Sequence, residues 1–195
     1  MLRMEILLAL GLGIGLASVA GVRAFLPLAL AAVFVALGLF EPPDVGGDGW
    51  WWSAFGVLAA LAVLEIVLDK TPTLDRAFNY AMVPVRALAG VVLFAAALGF
   101  DVDTGSVPWL VVGAVIAGAV AVLKVVLRPP AKVEASGVST RFLSAAEDVV
   151  ALVGGIVGAL IPFVPLFVVG FLLFFYYRVR MRRGRKYGGL RILGD

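Results

Sequence analysis

The sequence predicts an all-α fold, a polytopic transmembrane helical bundle, from its apolar excess, its hydropathy and the spacing of its apolar segments. Hydrophobic residues make up 63% of the 195 residues, whereas a soluble domain has roughly 45–50%. The mean hydropathy is +1.09. Seven apolar segments follow one another along the chain, at residues 4–20, 24–40, 54–68, 84–100, 108–127, 143–161 and 165–177. An excess of this size cannot be buried in one aqueous core, so lipid must be the solvent.

The first two segments must be separated by a turn. Read as one helix, residues 4–40 would extend about 55 Å, which exceeds the thickness of any bilayer. Gly21 permits a turn near residues 20–23, and Pro27 suits the first turn of a second helix. We therefore expect six or seven membrane segments, and the lengths leave open whether the first or the sixth is re-entrant.

The N-terminal run also resembles a secretory signal peptide, because Arg3 precedes an apolar stretch and residues 18–20 are small. Glu5 and the glycine-rich run at residues 11–15 are unusual in such peptides. We therefore expect this segment to be retained as part of the bundle.

The distribution of Lys and Arg predicts the orientation. When alternate loops are assigned to opposite sides, fifteen of the sixteen basic residues lie on one side and only Arg3 on the other. Short loops that are rich in basic residues lie on the cytoplasmic side of the membrane. We therefore expect a multi-pass cell-membrane protein with a cytoplasmic C-terminus and an outer N-terminus. Tryptophans flank the outer loops, and Tyr176 and Tyr177 are expected in the inner aromatic belt. The predicted domains are a transmembrane domain, residues 1–180, and a basic cytoplasmic tail, residues 181–195.

Two short stretches indicate a helical-hairpin repeat. Residues 64–69 (LEIVLD) resemble residues 123–128 (LKVVLR), and each stretch leads into a loop that contains proline. Internal duplication is common in membrane folds, so hairpins that open toward the cytoplasm are expected. After the first of these stretches, Thr71, Pro72 and Asp75 indicate a short interfacial helix that ends at Asn79.

Charged residues inside apolar segments are the candidate functional residues, because an ionised group is costly there. Glu65 and Asp69 are four apart and share a helix face. Arg23 lies at the first turn, where it and freed backbone amides would form an anion site if the turn is inserted. Arg86 lies just inside the fourth apolar segment, residues 84–100. Each has a structural alternative, which is an ion pair or contact with lipid phosphate.

Asp148 is the fifth candidate, and Lys124, Arg141 and Glu147 are weaker ones. Ser144 and Glu147 have the spacing of a capping box, which would explain Glu147 as a helix cap rather than a site residue. Asp148 takes no part in such a box. The two Gly-x-x-x-Gly motifs, at residues 11–15 and 154–158, are expected at close helix contacts.

The residue types exclude several function classes. The chain has no Cys and no His, so we expect no zinc or haem site, no metal and no cofactor. No hydrolase, metalloprotease or phosphate-binding motif occurs. The basic stretch at residues 178–191 is expected to bind anionic lipid and not nucleic acid, because no recognition module is present. A homo-oligomer is compatible with the sequence.

Four motifs together resemble one family. They are GVRAFLP at residues 21–27, LEIVLDKTP at residues 64–72, RALAG at residues 86–90 and AED at residues 146–148. In order and spacing they are similar to the uncharacterised membrane family called domain of unknown function 4126, over nearly the whole chain to about residue 177. The resemblance implies an integral membrane protein and assigns no activity or site residue.

Three functions remain open from the sequence. The first is a transporter or channel-like protein with a charged vestibule that faces the cytoplasm, in which Glu65 carries a proton or cation and the arginines attract an anion. The second is a non-transporting lipid-associated or membrane-assembly protein, for which a dry and fully paired cluster is expected. The third is an intramembrane enzyme that uses two carboxylates.

Overall fold

The structure, a computed structural model, describes residues 2–39, 49–71, 75–99, 107–128 and 140–188. These residues form seven α-helices and no strand, which confirms the predicted fold class. The helices are α1 (Leu2–Val22), α2 (Phe25–Ala36), α3 (Trp50–Asp69), α4 (Asp75–Leu98), α5 (Val107–Leu127), α6 (Thr140–Leu160) and α7 (Val164–Gly188).

Helices α3 to α7 are each long and apolar enough to cross a membrane, so the protein is a multi-pass helical membrane protein. The apolar part of α1, Leu7–Val22, and the whole of α2 are shorter. With twelve residues, α2 is about 18 Å long, less than the ~30 Å of a hydrocarbon core. Residues 41–48 and 101–106, which include acidic but no basic residues and belong to the predicted outer loops, lie outside the described residues, as does the end of the tail at 189–195. The orientation stays a prediction.

Helices α1 and α2 form a hairpin. A Cβ on Gly154 of α6 would lie 2.8 Å from the side chain of Val19, and a Cβ on Gly155 would lie 2.5 Å from that of Leu30. Val19 and Leu30 stand on opposite sides of the break between the helices, yet they contact adjacent residues of α6. In one straight helix they would be about 16 Å apart along the axis. The chain therefore folds back, and Arg23 and Ala24 form the tip of the hairpin.

Helix α1 is the centre of the bundle, and it contacts α4, α5, α6 and α7. Every residue from 17 to 24 is buried. Small residues allow the close approach: a Cβ on Gly21 would lie 2.6 Å from the carbonyl oxygen of Ala117 in α5. Gly15 and Gly158, one from each predicted glycine motif, both contact Pro165 of α7. Both motifs thus lie at helix contacts, where close packing substitutes for a hydrophobic driving force.

The contact between α4 and α5 is equally close. A Cβ on Gly113 would lie 2.7 Å from the carbonyl oxygen of Gly90 and 2.6 Å from the Cβ of Phe94. These backbones can approach this closely only because neither glycine has a side chain. The α4–α5 pair holds Arg86 and Lys124 at fixed positions beside the tip of the hairpin.

Several predicted boundaries differ in the structure. The prediction of a short interfacial helix that ends at Asn79 was wrong, because Asn79 lies inside α4, which is continuous through Pro84. Proline removes one backbone donor, but neighbouring helices stabilise such an interruption in a membrane bundle. Helix α3 begins at Trp50, four residues before the predicted segment. Helix α7 continues to Gly188, so the first part of the predicted tail is helical.

We predict that Gly113→Ala destabilises the bundle by about 1–3 kcal/mol, because its methyl group would force α4 and α5 apart. Gly118→Ala is the matched control on the same helix, since its Cβ would meet only the Cβ of Ala87 at 3.8 Å. The measurement is the thermal unfolding midpoint of each purified variant in detergent. Equal midpoints for the two variants would contradict the packing described here.

Candidate functional site

The tip of the α1–α2 hairpin is a helix break buried inside the protein. Arg23 and Ala24 are both 0% exposed. The break leaves the first amides of α2 and the last carbonyls of α1 without helical partners. The Glu65 carboxylate accepts hydrogen bonds from the amide of Ala24 at 3.1 and 3.3 Å and from that of Phe25 at 3.2 Å. Glu65 is therefore the N-terminal cap of α2, and its charge matches the positive end of the helix dipole.

The other side of the break is closed by Lys124. Its Nζ donates a hydrogen bond to the carbonyl oxygen of Val22 at 3.0 Å and lies 2.8 Å from Oε2 of Glu147. The backbone N–H of Arg23 also donates to the carbonyl of Val19, which completes the last turn of α1. Side chains from α3 and α5 thus satisfy the free backbone groups of the hairpin from two directions.

Asp69, the last residue of α3, accepts hydrogen bonds from four side chains of the site. Its two oxygens accept from Nη2 of Arg23 at 2.8 Å, Nη1 of Arg128 at 2.7 Å, Nδ2 of Asn79 at 2.7 Å and Oγ of Ser144 at 2.7 Å. Ser144 also accepts from Arg23 at 3.0 Å. Asp69 therefore links the hairpin tip to α4, α5 and α6.

Arg86 connects Glu65 to this network. Its Nη2 donates to Oε1 of Glu65 at 3.2 Å and to Oδ1 of Asn79 at 3.0 Å. Arg86 lies eleven residues after the first residue of α4 and twelve before the last. Its guanidinium is 0% exposed, so this cation is held in the interior by one carboxylate and one amide.

Glu147 is the second buried carboxylate with several donors. The hydroxyl of Tyr176 donates to its Oε1 at 2.5 Å, and Arg128 lies 3.4 Å from the same carboxylate. The Nη2 of Arg23 is 3.5 Å from Oε2. Glu147 and Tyr176 are both 0% exposed, so this carboxylate joins α6 and α7 to the tip.

Asp148 carries the network to the surface. Its Oδ1 lies 2.7 Å from Nη2 of Arg23, and its Oδ2 lies 3.1 Å from Nζ of Lys70. The Asp148 side chain is 19% exposed and that of Lys70 is 41% exposed. A continuous row of charged groups therefore runs from a partly exposed rim to the buried hairpin tip.

These side chains form what we call the charged cluster, which has four cations and four carboxylates: Arg23, Arg86, Lys124 and Arg128 with Glu65, Asp69, Glu147 and Asp148. Every carboxylate of the cluster is engaged by at least one donor or cation. The guanidinium atoms Nε and Nη1 of both Arg23 and Arg86 are buried and have no hydrogen-bond partner in the described part of the chain. The cluster is thus balanced in charge but incomplete in hydrogen bonding.

The structure brings all five main candidates together, namely Arg23, Glu65, Asp69, Arg86 and Asp148. It adds two of the weaker candidates, Lys124 and Glu147. The side chain of Arg141 lies outside the described part. Within the described residues, no group of three acidic residues is placed to hold a metal ion. What these residues do stays a prediction.

Two sequence interpretations were wrong. Glu147 is not a helix cap, because α6 begins at Thr140 and Ser144 lies one turn inside the helix with its hydroxyl on Asp69. Tyr176 is not part of an interfacial belt, because it is fully buried against Glu147, whereas its neighbour Tyr177 is 44% exposed. Both errors came from local motifs, which do not show how far a residue lies inside the bundle.

Sequence analysis missed four members of the site: Asn79, Arg128, Ser144 as a donor, and Tyr176. Two of them could have been found, because they lie on the same helix face as a charged residue that the sequence analysis had identified. Arg128 follows Lys124 by four residues, and Asn79 precedes Arg86 by seven, so each continues a charged face that was already recognised. Tyr176 has no comparable signal, because a tyrosine near the end of an apolar segment fits the membrane interface equally well.

We predict that Tyr176→Phe lowers stability by about 1–3 kcal/mol, because it leaves a buried carboxylate oxygen short of its closest donor. Tyr177→Phe is the matched control and should leave the unfolding midpoint unchanged. Thermal unfolding in detergent measures both variants. A Tyr176→Phe protein as stable as the control would show that the hydroxyl of Tyr176 is not needed in the cluster.

Comparison with known proteins places the chain in a family without a known activity. No curated protein and no solved structure matches the chain. One family, described as Domain of unknown function (DUF4126), matches residues 10–182. This range contains every residue of the charged cluster, and it confirms the resemblance carried by the four sequence motifs. The chain therefore belongs to the DUF4126 family.

Proposed function

We propose that the protein is a membrane transporter for a small ion or solute, and that the structure is a closed state in which the charged cluster occupies the substrate pathway. The observation that carries this proposal is a group of eight charged side chains around a helix break inside the bundle, of which seven are buried and Asp148 is 19% exposed. Broken helices whose ends face charged groups form the binding sites of many transporters.

Energetics favour a functional origin for the cluster. Removing a charge from water costs several kcal/mol even after relaxation, and buried ion pairs are often no more stabilising than apolar residues of the same volume. Stability alone therefore gives little reason to keep four such pairs. Charged residues at depth in a membrane protein instead mark ion pathways and proton relays.

The row of charges from Lys70 to the tip supplies the direction of access. Lys70 and Asp148 are the partly exposed members of this row, and Arg23 lies directly behind Asp148 at 2.7 Å. A substrate that enters from the rim would meet Asp148 first and Glu65 last. In the predicted orientation this rim faces the cytoplasm.

We predict that wild-type protein in liposomes carries a proton flux down an imposed pH gradient and that Glu65→Gln reduces this flux at least tenfold. Gln keeps the shape of the side chain and still accepts from the amides of α2, but it cannot exchange a proton. A pH-sensitive dye trapped inside the liposomes measures the flux. Tyr177→Phe is the control, because it preserves the whole cluster.

Equal flux in wild type and Glu65→Gln would remove Glu65 from the mechanism. The absence of flux above that of empty liposomes would argue against proton-coupled transport altogether. Unfolding midpoints of both proteins separate a lost proton step from a lost fold.

A second candidate function, a lipid-associated membrane protein, is favoured by a groove on α7. Phe171, Phe174, Phe175, Arg178 and Val179 line a groove of about 210 Å³. Apolar rings beside one arginine suit an acyl chain next to an anionic headgroup, since each basic residue near an anionic surface contributes about 1 kcal/mol. The engagement of every carboxylate in the cluster also agrees with this function, whereas the unpartnered guanidinium atoms favour transport.

We predict that an anionic phospholipid raises the unfolding midpoint of the detergent-solubilised protein more than a zwitterionic lipid with the same acyl chains. Arg178→Gln should remove most of that difference, because the groove then keeps its apolar wall but loses its cation. A difference that persists in Arg178→Gln would place the lipid contact elsewhere.

A further inference from the structure

The hairpin tip holds the Glu65 carboxylate in the way that a protein binds a foreign anion. Oε2 accepts from two successive amides, those of Ala24 and Phe25, and Oε1 accepts from Nη2 of Arg86. Successive amides at the start of a helix, joined by a guanidinium, are a general recognition unit for carboxylates and phosphates. Glu65 comes from α3, so its side chain is a ligand from outside the hairpin.

The same place has unused donors. Among the residues that the structure describes, none is a hydrogen-bond partner of Nη1 or Nε of Arg86, although the guanidinium is 0% exposed and its Nη2 donates to the Glu65 carboxylate. Arg23, at the tip itself, also has Nε and Nη1 without a hydrogen-bond partner in the described segments. A buried polar group without a partner usually costs about 1–3 kcal/mol. The tip therefore has more donor capacity than Glu65 can satisfy.

We propose that the hairpin tip is the binding site for a small carboxylate-type anion, and that the Glu65 side chain occupies this site in the closed state and leaves when the anion binds. In transport terms this inference rests on the proposed function, because it names the substrate class of the same site. The binding step itself does not require transport.

The geometry selects the class of anion. Both oxygens of Glu65 are used, one by the two amides and one by an amide and Arg86, so the ligand must present two oxygens from one planar group. The space that Glu65 would vacate is that of a methylene and a carboxylate. Small monocarboxylates and planar inorganic oxyanions have this shape, and bulky or tetrahedral anions do not.

Charge balance adds a proton to the binding step. The cluster has four positive and four negative groups, so a monovalent anion would leave it with one uncompensated negative charge. If Glu65 takes up one proton as it leaves the tip, the cluster stays neutral and the displaced side chain needs no cation. The charged or titratable groups around Glu65 and the tip are Arg23, Asp69, Arg86, Lys124, Arg128, Glu147, Asp148 and Tyr176, with Lys70 at the rim.

The test is chemical rescue. Glu65→Ala removes the atoms that acetate contains, so acetate should fill the gap and raise the unfolding midpoint of this variant in detergent. The rise should saturate with acetate concentration and should exceed that in sodium chloride at equal ionic strength. The double variant Glu65→Ala with Arg86→Met should lose the response, because one of its remaining donors is gone. No rise, an equal rise with chloride, or a rise retained in the double variant would overturn the anion site.

A second measurement applies if Glu65→Ala does not fold. Sodium nitrate, a planar anion that stays ionised throughout the range used, is added to wild-type protein in weakly buffered detergent solution. Binding should take up at most one proton for each protein molecule, so the pH should rise. Glu65→Gln has no carboxylate to protonate and should give no pH change. The absence of proton uptake by wild type, or equal uptake by both proteins, would overturn the proposal.

These outcomes separate the two proposals. Rescue by acetate without any proton flux in liposomes that have nitrate on both sides would support the anion site and remove the transport function. Proton flux together with failed rescue would keep transport and overturn the anion site.

Discussion

Free backbone groups and ionised side chains are costly inside a membrane, and the break between α1 and α2 brings both together in one place. The two amides after the break need an acceptor, and the carbonyl before it needs a donor. Glu65 and Lys124 supply them, and each then needs a counter-charge of its own. The cluster can be followed outward from this requirement: Arg86 balances Glu65, Glu147 balances Lys124, and Asp69 joins Arg23 to Arg128.

This requirement also explains how the helices are arranged. Helices α3, α4, α5, α6 and α7 all contribute side chains that meet at the tip, so each helix has only a narrow range of rotations and depths. Lipid gives little hydrophobic preference for one helix face over another, and small residues with polar bonds set the packing instead. Gly21, Gly90 and Gly113 allow the backbones of α1, α4 and α5 to approach closely. Polar pairing and glycine contacts therefore specify the same arrangement, as expected when local and global preferences agree.

The fold was more predictable than the site. Hydropathy indicated the transmembrane helical bundle, because so large an apolar excess can be accommodated only in lipid. The thickness of a bilayer limits the length of a helix and therefore required the turn near Arg23. Charged residues within apolar segments or at their ends indicated Arg23, Glu65, Asp69, Arg86 and Asp148, which lie together in the structure. The depth of each residue in the bundle and the rotation of each helix about its axis could not be predicted from one sequence. For that reason Glu147 was interpreted as a cap and Tyr176 as an interfacial residue, and Arg128 was counted only for its charge. Whether these residues bind or carry anything is still a prediction.

The equal number of positive and negative charges in the cluster has an electrical consequence. Moving one elementary charge through 100 mV changes its energy by about 2.3 kcal/mol, so a group of side chains with net charge would shift its conformational balance whenever the cell gained or lost its resting voltage. The four cations and four carboxylates sum to zero, so moving the cluster as one body does no net work against that field. An opening in which these groups move together should therefore respond to chemical concentration rather than to voltage.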